Sequence, residues 1–250
     1  MSGIYATCRQ TDNKAKHSMK FYPVYLTYLD RKHVVLLGGN HEAERKTLEL
    51  LSFGAKVHLI SPRITLALRR LHEEGRLRWT PRLYRYGDLV DAGFAVAADY
   101  TPETAREFAL EAEERNILVN VMDNMPLSNS AFGSVVRQGK LTVSFSTSGL
   151  APALAVRLKE RFERELDDAY GRFLDLAGTL RPAIMETIRD GDLRKVKWYE
   201  WVDSETITAL RAGNDRQALA ITAEVWGEEV LERAGIPAVP DTRKPTPAGD

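Results

Sequence analysis

The sequence holds a single cysteine, Cys8, among 250 residues. One thiol builds neither a disulfide framework nor a cysteine-based metal cluster, and a reducing cytoplasm is the compartment that fits. Net charge is missing too. Lys plus Arg and Asp plus Glu number 35 each, which excludes wholesale attraction to nucleic acid or to an anionic membrane and leaves any anionic ligand to a local cluster of groups. No apolar run is long enough to span a bilayer, and residues 1–18 lack the apolar core of a secretory signal. Histidine is scarce, with five in all and none after His72. No G-x-S-x-G elbow occurs, so serine-based hydrolysis has no support. His41 has no second histidine spaced to share a metal with it, and no metal site is expected.

What is present is organised around one stretch. His33-Val34-Val35-Leu36-Leu37-Gly38-Gly39-Asn40-His41-Glu42-Ala43-Glu44-Arg45-Lys46 passes from an apolar run to glycines to a helical pattern, the order of a buried parallel strand, a tight turn and a helix N-terminus. Such a turn sets backbone N–H groups and the positive end of a helix dipole under a dinucleotide pyrophosphate. In the G-x-G-x-x-G/A pattern Gly38 takes the first place and Ala43 the third, while Asn40 stands where a glycine lets backbone approach phosphate closely. Spacing alone leaves two readings open: a dinucleotide site, and a βα turn that packs without a ligand.

The chain then repeats the strand-helix alternation. Residues 21–26 read as a short strand or extended arm packed beside the first Rossmann strand. A helix over 42–51 closes at Gly54, and a second strand over 56–60 ends at Ser61-Pro62. Ser61 stands where an acidic residue holds the ribose hydroxyls in many NAD sites, with Arg63 close by. Residues 64–75 read as a helix, and a short strand follows near Trp79. The strand over 94–98 ends at Ala98-Asp99, where small residues leave room in a crevice. Thr101 and Pro102 open a helix, and 117–121 is the next strand. This order argues for a mostly parallel, doubly wound α/β sheet.

The pattern changes after Asp123. Two β-rich runs, 132–136 and 140–146, joined by Arg137-Gln138-Gly139, form a hairpin outside the nucleotide fold. Hairpin edges that no helix covers often pair with another subunit. From Pro152 the chain is helical, in amphipathic pieces over 152–166, 170–189, 193–202, 204–213 and 216–234, and prolines dominate from Ile236 onward.

Several residues can carry chemistry. Asp123 sits at the carboxyl end of a strand, beside Met122 and Met125, where a carboxylate can serve as a general base or cap its own loop. Ser146, Thr147, Ser148 and Gly149 form a hydroxyl-rich turn before the Pro152 helix, suited to a carboxylate ligand or to helix capping. Arg137 and Lys140 supply cations in the same region.

These pieces, in this order, resemble the precorrin-2 dehydrogenase/sirohydrochlorin ferrochelatase family, the module found alone or at the front of siroheme synthases. The resemblance runs from Phe21 to Glu165. It rests on Phe21-Tyr22-Pro23-Val24, on Val35-Leu36-Leu37-Gly38-Gly39 with Ala43-Glu44-Arg45-Lys46 behind it, on Ala97-Ala98-Asp99, on Asn120-Val121-Met122-Asp123, and on Ser146-Thr147-Ser148-Gly149 before Pro152. The Ala-x-Arg-Lys sequence is its most specific point.

The resemblance implies a homodimer with NAD as cofactor and precorrin-2 and sirohydrochlorin as substrate and product, with insertion of Fe²⁺ in some members. It assigns Asp123 the catalytic role. The residues at the crevice, Gly38, Gly39, Asn40, His41, Glu42, Ala43, Ser61, Ala98 and Asp99, are the expected cofactor contacts. Ser146, Thr147, Ser148, Gly149, Arg137 and Lys140 are the expected substrate contacts. The expected organisation is a flexible leader over 1–20, a Rossmann-type NAD-binding domain over 21–123, a dimerisation region over 124–150, a helical C-terminal domain over 151–235 and a disordered tail over 236–250. Asn40, Ser130, Gly133 and Ala151 depart from the family pattern and mark a divergent member. A chelatase without redox function and a non-catalytic tetrapyrrole or nucleotide carrier are the competing functions.

Overall fold

The structure, a computed structural model, describes residues 21–237. The leader expected over 1–20, Cys8 included, and the tail beyond Pro237 lie outside the described residues. The chain forms two compact units that part between Phe132 and Gly133.

In the first unit, strands β1 (His33–Leu37), β2 (Lys56–Ile60), β3 (Arg78–Thr80), β4 (Ala92–Ala97) and β5 (Leu118–Val121) form one sheet in the order β3-β2-β1-β4-β5. All pairings are parallel. β1 is apolar at every position from Val34 to Leu37 because both of its faces are covered. Val34, Leu36, Leu59 and Val96 belong to the core with Ala43 and Leu50 of α1 (His41–Ser52) and Leu68 and Leu71 of α2 (Leu66–Glu73). Val35, Leu37, Ala95 and Ala97 point the other way, to Ala105 and Phe108 of α3 (Pro102–Glu114). The chain winds outward from β1 through β2 to β3, returns to β4 on the far side of β1, and continues to β5. Strand order therefore reverses between β1 and β4, and a crevice opens outside their carboxyl ends.

Residues 21–26, expected as a strand or packed arm, lie in no sheet, and Tyr22, Val24 and Tyr25 are exposed. β1 already has a partner on each side, so no open edge remains beside it, and Pro23 has no N–H to donate.

The outer edge of β5 is occupied by side chains of the loop that follows. Asn129 accepts from the Val119 amide at 2.7 Å and donates to the Ile117 carbonyl at 3.0 Å. Ser128 Oγ accepts from the Val121 amide at 2.9 Å, and Ser130 Oγ donates to the Val119 carbonyl at 2.9 Å. These bonds satisfy strand groups that would otherwise invite a foreign strand, and they hold residues 124–132 to the first unit.

In the second unit, β6 (Ser134–Gln138) and β7 (Leu141–Phe145) pair antiparallel, with Gln138 opposite Leu141. The turn is therefore Gly139-Lys140 rather than the expected Arg137-Gln138-Gly139. Gly139 adopts φ +56°, which suits glycine, and a Cβ there would stand 3.1 Å from the Gly171 Cα. Gly133, where the family pattern has proline, is equally constrained: a Cβ would come within 2.1 Å of Ser144 Oγ.

Among the described residues six helices follow: α4 (Pro152–Glu165), α5 (Asp168–Thr187), α6 (Gly191–Val202), α7 (Thr206–Arg211), α8 (Asp215–Trp226) and α9 (Glu228–Arg233). The last two were expected as one helix. Gly227, at φ +89°, breaks them apart. The core of these helices gathers Phe173, Trp201 and Trp226, with Trp198 partly buried against them. The Trp201 indole donates to Thr222 Oγ1 at 3.0 Å.

Candidate functional site

The crevice of the first unit is built by close backbone approach. Gly38 turns off β1 at φ +126°, and a Cβ there would lie 2.7 Å from both the backbone nitrogen and the Cβ of Asp99. A Cβ on Gly39 would lie 1.8 Å from the Arg63 carbonyl oxygen. The Leu37 carbonyl accepts from the Ala98 amide at 2.8 Å, and the Gly39 carbonyl from the Thr65 amide at 3.1 Å. Two glycines are thus needed because the β2–α2 and β4–α3 connections both close on the same turn.

Asn40 has a different duty. Its φ is −81°, an ordinary value for any residue, and its Oδ1 accepts from the Ala43 amide at 3.0 Å, so it is the N-cap of α1. The side chain is turned back on the helix, and the amides of His41 and Glu42 emerge at the helix end as first-turn amides do. The dipole and the N–H supply of that end suit an anion. The His41 side chain is exposed and stands 3.7 Å from Glu44. Glu42 would oppose an anion, but it is paired with Arg45, whose guanidinium holds the Glu42 carboxyl below its ordinary range. The residues therefore fit a dinucleotide pyrophosphate: a turn drawn tight by two glycines against the neighbouring connections, first-turn amides at the helix end, and a neutralised carboxylate.

The Ala-x-Arg-Lys sequence has a physical account here. Ala43 is fully buried, where a larger side chain would push α1 off the sheet. Lys46 is buried, lies 3.7 Å over the Phe132 ring and bonds Glu49 at 2.6 Å; burial pulls its pKa down. Ser61 is buried as well. Its hydroxyl donates to the Arg63 carbonyl at 2.6 Å and its carbonyl accepts from the Trp79 indole at 2.9 Å, so the hydroxyl serves the β2–α2 connection. The Arg63 side chain is exposed.

Ala98 and Asp99 lie at the carboxyl end of β4, with Asp99 exposed, and Asp123 lies just past β5. Asp123 is exposed and takes φ +60°, the left-handed region that few non-glycine residues adopt. Its neighbours fix it. The Met122 amide donates to Ala97 at 2.9 Å, the Asn124 amide to Val121 at 3.0 Å, and Ser128 Oγ to the Asn124 carbonyl at 2.9 Å. The Tyr100 hydroxyl donates to the Met122 carbonyl. Asn120 is buried behind the turn and donates to the Ser130 carbonyl at 2.9 Å. Sequence reading passed over Tyr100, although it directly follows the Asp99 that was singled out.

The remaining candidates belong to the second unit. Ser148 and Gly149 both take positive φ, +54° and +75°. The Ser148 amide donates to Ser146 Oγ at 3.2 Å and the Ala151 amide to Thr147 Oγ1 at 3.2 Å. Ala151 is the cap position of α4 and supplies no side-chain oxygen, so the turn closes on itself rather than capping the helix. Lys140, on the exposed hairpin turn, pairs with Asp175 at 2.9 Å, and Arg137, exposed on β6, donates to the Gly139 carbonyl at 3.3 Å. Among the described residues, no group of three or more His, Cys, Asp or Glu side chains is placed to hold a metal ion. Among them, too, no helix is long and apolar enough to cross a membrane.

Residues 26–134 match the family model described as putative NAD(P)-binding, and residues 169–224 match the one described as the sirohaem synthase dimerisation region. Through these two segments the chain is similar to siroheme synthases. The siroheme synthase of Chromobacterium violaceum is 31% identical over 217 residues, covering 87% of this chain and 46% of that protein. Siroheme synthase 1 of Cronobacter sakazakii is 32% identical over 224 residues, covering 87% and 47%. The chain thus spans about half the length of the curated relatives it matches. The solved structure titled "SirC, precorrin-2 dehydrogenase" superposes with TM-score 0.66 on 82% of this chain and 98% of that one; at 21% identity the likeness is one of fold. The match to the dimerisation region falls on α5 to α8; the expected dimerisation region was 124–150.

Proposed function

We propose that the chain oxidises precorrin-2 to sirohydrochlorin with NAD⁺. The observation that carries the proposal is a glycine turn and helix end fit for a pyrophosphate after β1, on the same carboxyl edge of the sheet as the left-handed Asp123 that follows β5, two strands away. Gly38, Gly39, the amides of His41 and Glu42, and Ala98-Asp99 hold the nucleotide. When bound, NAD⁺ supplies the two-electron oxidant. The macrocycle also gives up a proton, and the Asp123 carboxylate accepts it. Placing acceptor and base in one fixed crevice lowers the barrier by orientation rather than by new chemistry.

The hydroxyls of Ser146, Thr147 and Ser148, with Arg137 and Lys140, suit the carboxylates of the tetrapyrrole. Ser61 serves the cofactor indirectly, by shaping the turn that backs Gly39. A homodimer forms through the α5–α8 region, where Leu193, Val196, Tyr199 and Val202 of α6 are exposed apolar side chains in need of cover. The enzyme works in the cytoplasm.

Purified chain given precorrin-2 and NAD⁺ yields NADH and sirohydrochlorin in equal amounts, and Asp123→Ala abolishes turnover while leaving NAD⁺ affinity intact. Turnover unchanged in Asp123→Ala would defeat the proposal. Sirohydrochlorin with Fe²⁺ and no nucleotide tests the chelatase alternative in the same preparation.

A further inference from the structure

We infer that Tyr100 is a positioning residue for Asp123: its hydroxyl, bonded to the Met122 carbonyl, holds the left-handed turn that aims the carboxylate. The inference rests on the function proposed above. Tyr100 leaves the carboxyl end of β4 directly after Asp99, and its ring is partly buried against the core between the sheet and α3. From there the hydroxyl reaches the end of the neighbouring strand β5 and donates to Met122. That carbonyl lies in the peptide plane about which the φ of Asp123 is set.

A left-handed L residue persists only where its surroundings over-determine it. The two backbone bonds at this turn, Met122 to Ala97 and Asn124 to Val121, form for many sequences. The Tyr100 bond is the tie from the β4 side that depends on a side chain, and it joins the two strand ends that face the crevice. The phenol also stands in the field of the Asp123 carboxylate; burial, and then that charge, push its pKa up, so it remains a donor across neutral pH.

Tyr100→Phe keeps the packed ring and removes only the hydroxyl. In the full chain the Asn124 amide exchanges about tenfold faster or more, while ladder amides of β4 and β5 keep their protection. The kcat for precorrin-2 oxidation falls about tenfold to hundredfold, with the NAD⁺ dissociation constant unchanged within about twofold. A merely structural residue would lower protection across the whole unit instead. Unchanged Asn124 exchange, or a kcat within about twofold of the parent, overturns the inference whatever the reaction proves to be. If Asn124 protection does depend on the tyrosine hydroxyl while the unsubstituted chain gives no oxidation of precorrin-2, the proposed function fails, and the role of Tyr100 in that reaction fails with it.

Discussion

Asn40 offers the sharpest test of how the turn works, because capping and ligand approach make opposite demands on it. Its Oδ1 accepts from the Ala43 amide at 3.0 Å, and its φ of −81° makes no use of glycine's freedom. Asn40→Ala removes the cap and costs about 1 kcal/mol, whereas Asn40→Gly costs a few tenths. In scanning calorimetry of the full chain, the transition that NAD⁺ raises then falls by about 2–6 °C in the alanine variant. Asn40→Asp keeps the capping oxygen and adds a favourable charge to the helix dipole, so stability holds or rises slightly. The same charge stands against the pyrophosphate. At about 5 Å and an effective dielectric between 40 and 80, the repulsion is about 1–2 kcal/mol, or roughly fivefold to thirtyfold weaker NAD⁺ binding by titration calorimetry. Asn40→Gly leaves NAD⁺ affinity within about threefold, since the side chain is folded back onto its own helix. The reasoning is refuted if Asn40→Ala melts with the parent, if Asn40→Asp binds NAD⁺ as tightly, or if Asn40→Gly binds it tenfold better.

Gly39→Ala places a methyl 1.8 Å from the Arg63 carbonyl and 2.7 Å from Ser61 Oγ, so the β2–α2 connection must shift, at a cost of about 3 kcal/mol or more in urea unfolding. Gly75→Ala is the control: its φ is +71° but nothing lies within 4 Å, and it costs only about 1–2 kcal/mol. Glu111 is fully buried and accepts from Tyr84, from the Gly87 and Leu89 amides at 2.9 and 3.2 Å, and from Arg115 at 2.7 Å. Burial pushes its carboxyl up, but these donors outweigh burial and hold it below its ordinary value of 4.5. A depressed carboxyl contributes stability above that ordinary value, and the contribution is lost as pH falls through the lower folded one. Glu111→Gln therefore costs about 1–3 kcal/mol at neutral pH and flattens the loss of stability below pH 4.5; an acid limb as steep as the parent's would count against it.

The doubly wound sheet was legible because its signals are local. Continuous apolar runs bounded by glycine, proline or aspartate mark strands buried on both faces, and Thr101-Pro102 and Gly54 punctuate helices by rules that act within one turn. Gly38 and Ala43 were readable for the same reason. The break at Gly227 was not, because a glycine inside an apolar helical pattern is tolerated in many proteins, and only its φ of +89° ends the helix here. The arm over 21–26 reads as a strand by composition, but strand formation needs an open edge, and β1 has none.

Residue type and spacing by themselves determined where the crevice lies, since a βα turn with glycines is written in adjacent residues. What each polar group does there was decided by contacts between segments distant in the chain. Asn40 caps its own helix, Ser61 bonds Arg63, and Tyr100 ties Met122 from 22 residues away. A side chain's partner is fixed by distance in space, and strand order, which no single stretch of the chain encodes, sets that distance.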